Sequence, residues 1–223
     1  ARKGININVA DFPYLWIFGN GGAGYYPTYT GDTFLISGSG CIYGGGASDY
    51  DAVTSIDLNN QNLTTDFNFL NKFVNLTSLR LFSNDITVLN TSQLVNLTIL
   101  HLDNNQVIVL DASRLVNLTV LRLFNNQVTE LNISTLINLT DLIFGNNEVA
   151  DIDISQLVNL INLRCANNRL TATTNSQLLI DLDTHGLLNG YFHSSIFGGG
   201  TLTTAGLSAK ANLQAKGWTI VGI

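Results

Sequence analysis

The chain has 223 residues, only 12% of them charged, and a formal net charge of −6 at neutral pH. That is about half the roughly 25% charged content of an ordinary soluble domain, and Asn, Thr, Ser and Gly supply the polarity instead. Lys and Arg form no run, and a nucleic-acid surface needs a basic patch, so nucleic acid is excluded as a partner class.

No stretch of about 18 or more consecutive apolar residues is present, so no membrane insertion is expected, and no signal peptide is recognisable. The opening Ala-Arg-Lys, without Met, reads as a processed or excised segment. Cys41 and Cys165 lie too far apart to form a disulfide framework and are expected as two buried thiols.

Residues 1–51 are rich in Gly and aromatics. The β-prone runs Tyr14 to Phe18, Thr33 to Ile36 and Cys41 to Tyr43 are separated by Gly clusters, Pro27 and Asp32. Short strands joined by tight turns are expected, forming a β-rich amino-terminal cap. Trp16, Phe18, Tyr25 and Tyr26 are candidates to cover the apolar end of the next segment, or to form a self-association or ligand surface. Gly19, Gly21 and Gly24 spell G-x-G-x-x-G, but Tyr-Tyr-Pro-Thr-Tyr comes next and starts no helix. Without a helix N-terminus to hold a pyrophosphate, nucleotide binding is excluded.

From Asn75 the sequence repeats every twenty-one residues, with Asn75, Asn96, Asn117, Asn138 and Asn159 opening successive rows. An irregular unit with Ile56, Leu58, Gln61 and Leu63 precedes them, about two residues longer. A fixed period in this range signals a solenoid. The rows read L-x-x-L-x-L-x-x-N-x-L, which resembles the leucine-rich repeat in its short bacterial form. The resemblance covers roughly residues 53 to 175. It implies an α/β solenoid with a parallel β-sheet on the concave face, short turns on the convex face and a binding role. The expected division is a cap at 1–51, about six repeats at 52–175 and an α/β carboxy-terminal cap at 176–223.

In each row the L-x-L segment is expected as a strand. Leu79 and Leu81, Leu100 and Leu102, Leu121 and Leu123, Leu142 and Phe144, and Leu163 and Cys165 then point into the core. Asn84, Asn105, Asn126, Asn147 and Asn168 stand where the chain leaves the sheet, and a stacked amide column there would satisfy one coil against the next. Ser92, Ser113, Ser134, Ser155 and Ser176, with Asn90, Asp111, Asn132 and Asp153 two positions before the first four, are expected to close local turns. Asn75, Asn96, Asn117 and Asn138 also form N-L-T sequons, which the repeat itself generates.

After Leu170, Ser176 to Thr184 reads as a helix, with Ser176 as N-cap and Gly186 as stop. Tyr191, Phe192 and Ile196 suggest a strand. Asn189, twenty-one residues past Asn168, suggests that this strand continues the sheet. Thr204 to Lys216 is the clearest helix, ended by Gly217, and Trp218 to Val221 closes with a strand. The layout D-L-D-T-H-G-L-L-N-G-Y, then L-S-A-K-A-N-L-Q-A-K-G-W-T-I, resembles a terminal segment of bacterial and phage surface proteins.

Outward strand positions form two columns: Arg80, His101, Arg122, Ile143, Arg164, and Phe82, Asp103, Phe124, Gly145, Ala166. The candidate ligand-binding residues are Arg80, Phe82, His101, Asp103, Arg122 and Phe124, a mixture suited to a protein, a sugar or an acidic polymer. His101, His185 and His193 make no H-E-x-x-H, and neither paired-cysteine metal spacing nor Gly-x-Ser-x-Gly occurs, so no catalysis, metal or cofactor is expected. The favoured reading is a non-catalytic binding or adhesion module of a cell-surface protein or phage fibre, recognising a protein or glycan. The alternative is a self-associating subunit of a surface layer, filament or virion appendage. Either places the chain outside the cell, on its surface or on a virion.

Overall fold

The computed structural model describes residues 54–223 except 61, 65–69 and 72, together with the backbone of two short strands nearer the start. Those strands, β1 (Trp16–Ile17) and β2 (Ile42–Tyr43), pair antiparallel, with Trp16 opposite Tyr43. They fall inside two of the three runs expected there. The third run, the glycine motif, Cys41 and the proposed capping side chains lie outside the described residues.

The main sheet takes one strand from each coil: β3 (Ser55–Asp57), β4 (Ser78–Arg80), β5 (Ile99–His101), β7 (Val120–Arg122), β9 (Asp141–Ile143) and β10 (Asn162–Arg164). They pair in parallel, in chain order and in register, so that Ile56, Leu79, Leu100, Leu121, Leu142 and Leu163 form one buried row. β11 (Tyr191–His193) and β12 (Thr219–Val221) extend the same sheet to eight strands. Each core Leu contributes about 1.5–3 kcal/mol through burial.

The return side of the coils holds more than turns. β6 (Val109–Asp111) and β8 (Glu130–Asn132) form a second parallel pair, with Leu110 opposite Leu131. A constant period brings these β-prone segments to the same height in neighbouring coils, where their backbones can pair.

The asparagine column behaves as its position demands. Asn105 donates from Nδ2 to Leu81 O of the preceding coil and Leu102 O of its own, both at 2.9 Å. Its Oδ1 accepts from the Ile86 backbone N–H at 3.0 Å. Asn84, Asn126, Asn147 and Asn168 repeat the pattern. The residue before each ladder position, among them Ser83, Asn104, Asn125, Asn146 and Asn167, has φ between 54° and 57°. That left-handed turn suits Asn better than other non-glycine residues.

The N-L-T triplets also belong to the scaffold. Asn96, Asn117 and Asn138 donate to Val74, Val95 and Val116 O, and Thr77, Thr98, Thr119 and Thr140 donate to the carbonyl one coil earlier. Ser92, Ser113, Ser134 and Ser155 each donate from backbone N–H to the Asx side chain two residues before.

One expectation for the tail needs correction. The helix α1 spans Ala172–His185, and its N-cap is Thr171, whose hydroxyl accepts from Thr174 N–H at 3.2 Å. Ser176 lies inside the helix instead. Its hydroxyl donates to Ala172 O at 2.7 Å and accepts from Thr203 N–H at 2.9 Å, just ahead of α2 (Thr204–Ala215). A Cβ on Gly206 would lie 2.6 Å from Ser176 Cβ, so the two helices meet closely at this point. The strand expected near Tyr191 is present. β11 does continue the sheet, but Asn189 is not a ladder asparagine; it precedes the strand in a left-handed turn. Inserting α1 stretches the step from Asn162 to its partner Tyr191 to twenty-nine residues.

Candidate functional site

The parallel register carries the outward column along seven strands: Asp57, Arg80, His101, Arg122, Ile143, Arg164 and His193. Arginines on every second strand stand roughly 10 Å apart. Scattered along the chain, they form a basic stripe only in space. His101 feels it. Burial chiefly, and then the Arg122 guanidinium, pull its pKa below the ordinary value, against an opposing pull from Asp103.

The six candidate residues come together on neighbouring coils, but not as equals. Arg80, Phe82, His101 and Arg122 are half-buried, and Phe124 is 40% exposed. Asp103 is 8% exposed and serves the scaffold. Its Oδ1 accepts the Phe124 backbone N–H at 2.9 Å, and its Oδ2 lies 3.0 Å from Arg122 Nε. Two coils earlier Asn59 does the same for Phe82, accepting its backbone N–H at 2.8 Å. A polar acceptor and a Phe therefore alternate down this column, the first fixing the backbone of the second.

Where the column turns to Gly145 and Ala166, the face opens into a depression of about 230 Å³. It is lined by Arg122, Phe124, Ile143, Gly145, Arg164 and His193. Arg164 stacks on the Tyr191 ring, its Cζ 4.5 Å from the centroid, and its Nε donates to Asn162 Oδ1 at 3.1 Å. Asn162 in turn donates to Asp141 Oδ1 at 2.7 Å. Among the described residues, neither Arg80 nor Arg164 has an ion-pair partner. The sequence puts the Tyr191 strand in the sheet but does not give the register that sets Tyr191 and His193 beside Asn162 and Arg164, because α1 breaks the period ahead of them. The column position of Arg164 is the one signal available there.

Among the described residues, no group of three His, Cys, Asp or Glu side chains could hold a metal ion. Cys165 is a fully buried thiol whose pKa is pushed up to about 12 by desolvation. No helix of the described residues is long and apolar enough to cross a membrane.

No protein-family model matches the sequence. No curated protein matches it either. Solved structures do resemble the chain. A leucine-rich-repeat protein of Leptospira interrogans superposes with a TM-score of 0.61 at 21% identity, over 76% of this chain and 49% of that one. The chain thus spans about half the length of that relative. Internalin C2 of Listeria monocytogenes superposes with a TM-score of 0.55 at 23% identity, over 82% of this chain and 86% of that one. With the twenty-one-residue coils and the asparagine ladder, these likenesses give the chain the leucine-rich-repeat fold of the bacterial proteins it resembles.

Proposed function

We propose that the chain is a non-catalytic recognition module of a cell-surface protein or phage fibre, binding a protein or glycan through its concave face. The observation that supports this reading is the column of arginine and histidine side chains on a rigid parallel sheet, with Phe124 exposed beside it. Among the described residues neither Arg80 nor Arg164 has an ion-pair partner, and a partner with acidic or polar groups would compensate them.

The test compares the full chain with a variant carrying Arg80→Ala, Phe82→Ala, Arg122→Ala and Phe124→Ala in capture of bacterial envelope fragments. Capture is expected to be lost while the melting temperature falls by only a few degrees. Undiminished capture would move the site to another face.

A second reading, a self-associating surface subunit, has one feature in its favour. Val74, Val116, Ile137 and Val158 share a position on the coils and are each 42–52% exposed. Such an apolar stripe suits a contact between copies. Mass measurement in solution separates the readings, since ordered assembly supports the second and a monomer that captures envelope material supports the first.

A further inference from the structure

The depression beside Phe124 has a charge requirement that the chain leaves unmet. Arg164 is held from two sides, by the Tyr191 ring and by Asn162, itself anchored on Asp141. Among the described residues, no group accepts a hydrogen bond from its terminal Nη atoms. A guanidinium oriented in this way and lacking a carboxylate partner is prepared for a bidentate contact with an anion. Arg122 stands in the same column two strands away but already faces Asp103. Arg164 is therefore the available cation.

The rest of the depression suits a ring better than an extended peptide. Its floor is Ile143 and Gly145, and its wall is the exposed Phe124 ring. A Cβ on Gly145 would sit 3.1 Å from Ala166 O and 3.4 Å from the Phe124 ring. The missing side chain thus lets the Phe124 ring and the Ala166 carbonyl lie close against this position. The volume lies below the roughly 300–1,000 Å³ of sites for drug-sized molecules, so it holds about one ring. Asn167 Nδ2 donates to Asn146 Oδ1 at 2.8 Å, leaving Asn146 Nδ2 as a donor and Asn167 Oδ1 as an acceptor for hydroxyl groups. We infer that this depression is a subsite for a carboxylate-bearing sugar residue, an inference that rests on the concave-face reading above. The carboxylate meets Arg164, an apolar C–H face of the ring lies on Phe124, and hydroxyls meet the two amides. A lone acidic side chain would satisfy Arg164 but leave the Phe124 wall unfilled.

Isothermal titration of the full chain tests this with trisaccharides ending in glucuronate, galacturonate or a sialic acid, with their methyl esters, and with a hexaglutamate peptide. At least one acid saccharide is expected to bind, with its ester at least tenfold weaker. Arg164→Gln is expected to weaken the acid at least tenfold, and Gly145→Ala several-fold, with thermal melting confirming that both variants fold. Equal binding of ester and acid, or full affinity in Arg164→Gln, would overturn the subsite. Hexaglutamate binding more tightly than every saccharide would overturn it in favour of an acidic protein segment. Failure of every probe while envelope capture still depends on the concave face would overturn the sugar subsite alone. Capture that ignores the fourfold concave variant would overturn the reading beneath it.

Discussion

Asn147 donates to Leu123 O at 2.8 Å and Phe144 O at 2.9 Å, and accepts from the Val128 N–H at 2.8 Å, with 6% of its surface exposed. Asn147→Ala would strand the buried Val128 N–H, at about 1–3 kcal/mol for an unpaired group, while Leu123 O and Phe144 O keep the amide donors of Asn126 and Asn168. A loss of about 1–3 kcal/mol is expected, read as a lower urea midpoint. Asn104, its neighbour in type but not in role, is exposed and takes the left-handed turn at φ 54°. Asn104→Ala should cost about 1–2 kcal/mol through the backbone, with the exposed hydrogen bond from Asn125 Nδ2 to Asn104 Oδ1 lost as well. The same residue type in adjacent positions therefore does two different jobs: the second asparagine of each pair ties buried backbone of neighbouring coils together, and the first takes the left-handed turn and links coils only through exposed side-chain amides.

At the level of elements, the tail shows how irregular segments join a regular sheet. Gly190 precedes β11, and a Cβ added there would lie 2.5 Å from Trp218 ring atoms. Trp218 is buried, and its indole N–H donates to Leu187 O at 2.8 Å. Gly190→Ala must push this ring away, at about 2 kcal/mol for a forced repacking. Faster amide exchange in Thr219–Val221, with the central coils still protected, is the expected signature. Exchange unchanged at β12 would show that Trp218 moves without releasing the strand. α1 is the larger departure from the repeat. Its capping by Thr171 and its contact with α2 at Ser176 and Gly206 replace the turn that earlier coils use.

Over the whole molecule, each coil packs chiefly on the coils beside it, so damage should spread along one dimension. Leu121 is fully buried in a central coil and pairs in register with Leu100 and Leu142. Leu121→Asp places a charge in that row without a partner, a substitution in the class that exceeds several kcal/mol. Hydrogen exchange should show protection lost from the adjacent coils first and from α1 and α2 last. A uniform loss would instead mean that the solenoid unfolds as one cooperative unit.

The repeat, the buried leucine rows, the asparagine ladder and the parallel sheet were all legible in the chain alone. Each rests on short-range periodicity, and repetition multiplies a weak local signal into a strong one. The second strand pair, β6 and β8, was missed because its residues look like any short β-prone stretch until identical coil lengths stack them. The candidate face was legible as a column, yet its members could not be ranked. Asp103 and Arg164 are equally outward on paper. Only the folded coil turns Asp103 onto the Phe124 N–H and Arg122, and only the stretched final step brings Tyr191 under the Arg164 guanidinium. Periodicity determines which side of a strand a residue faces. Whether its charge is compensated depends on neighbours far away in sequence, and the tertiary structure alone assembles those.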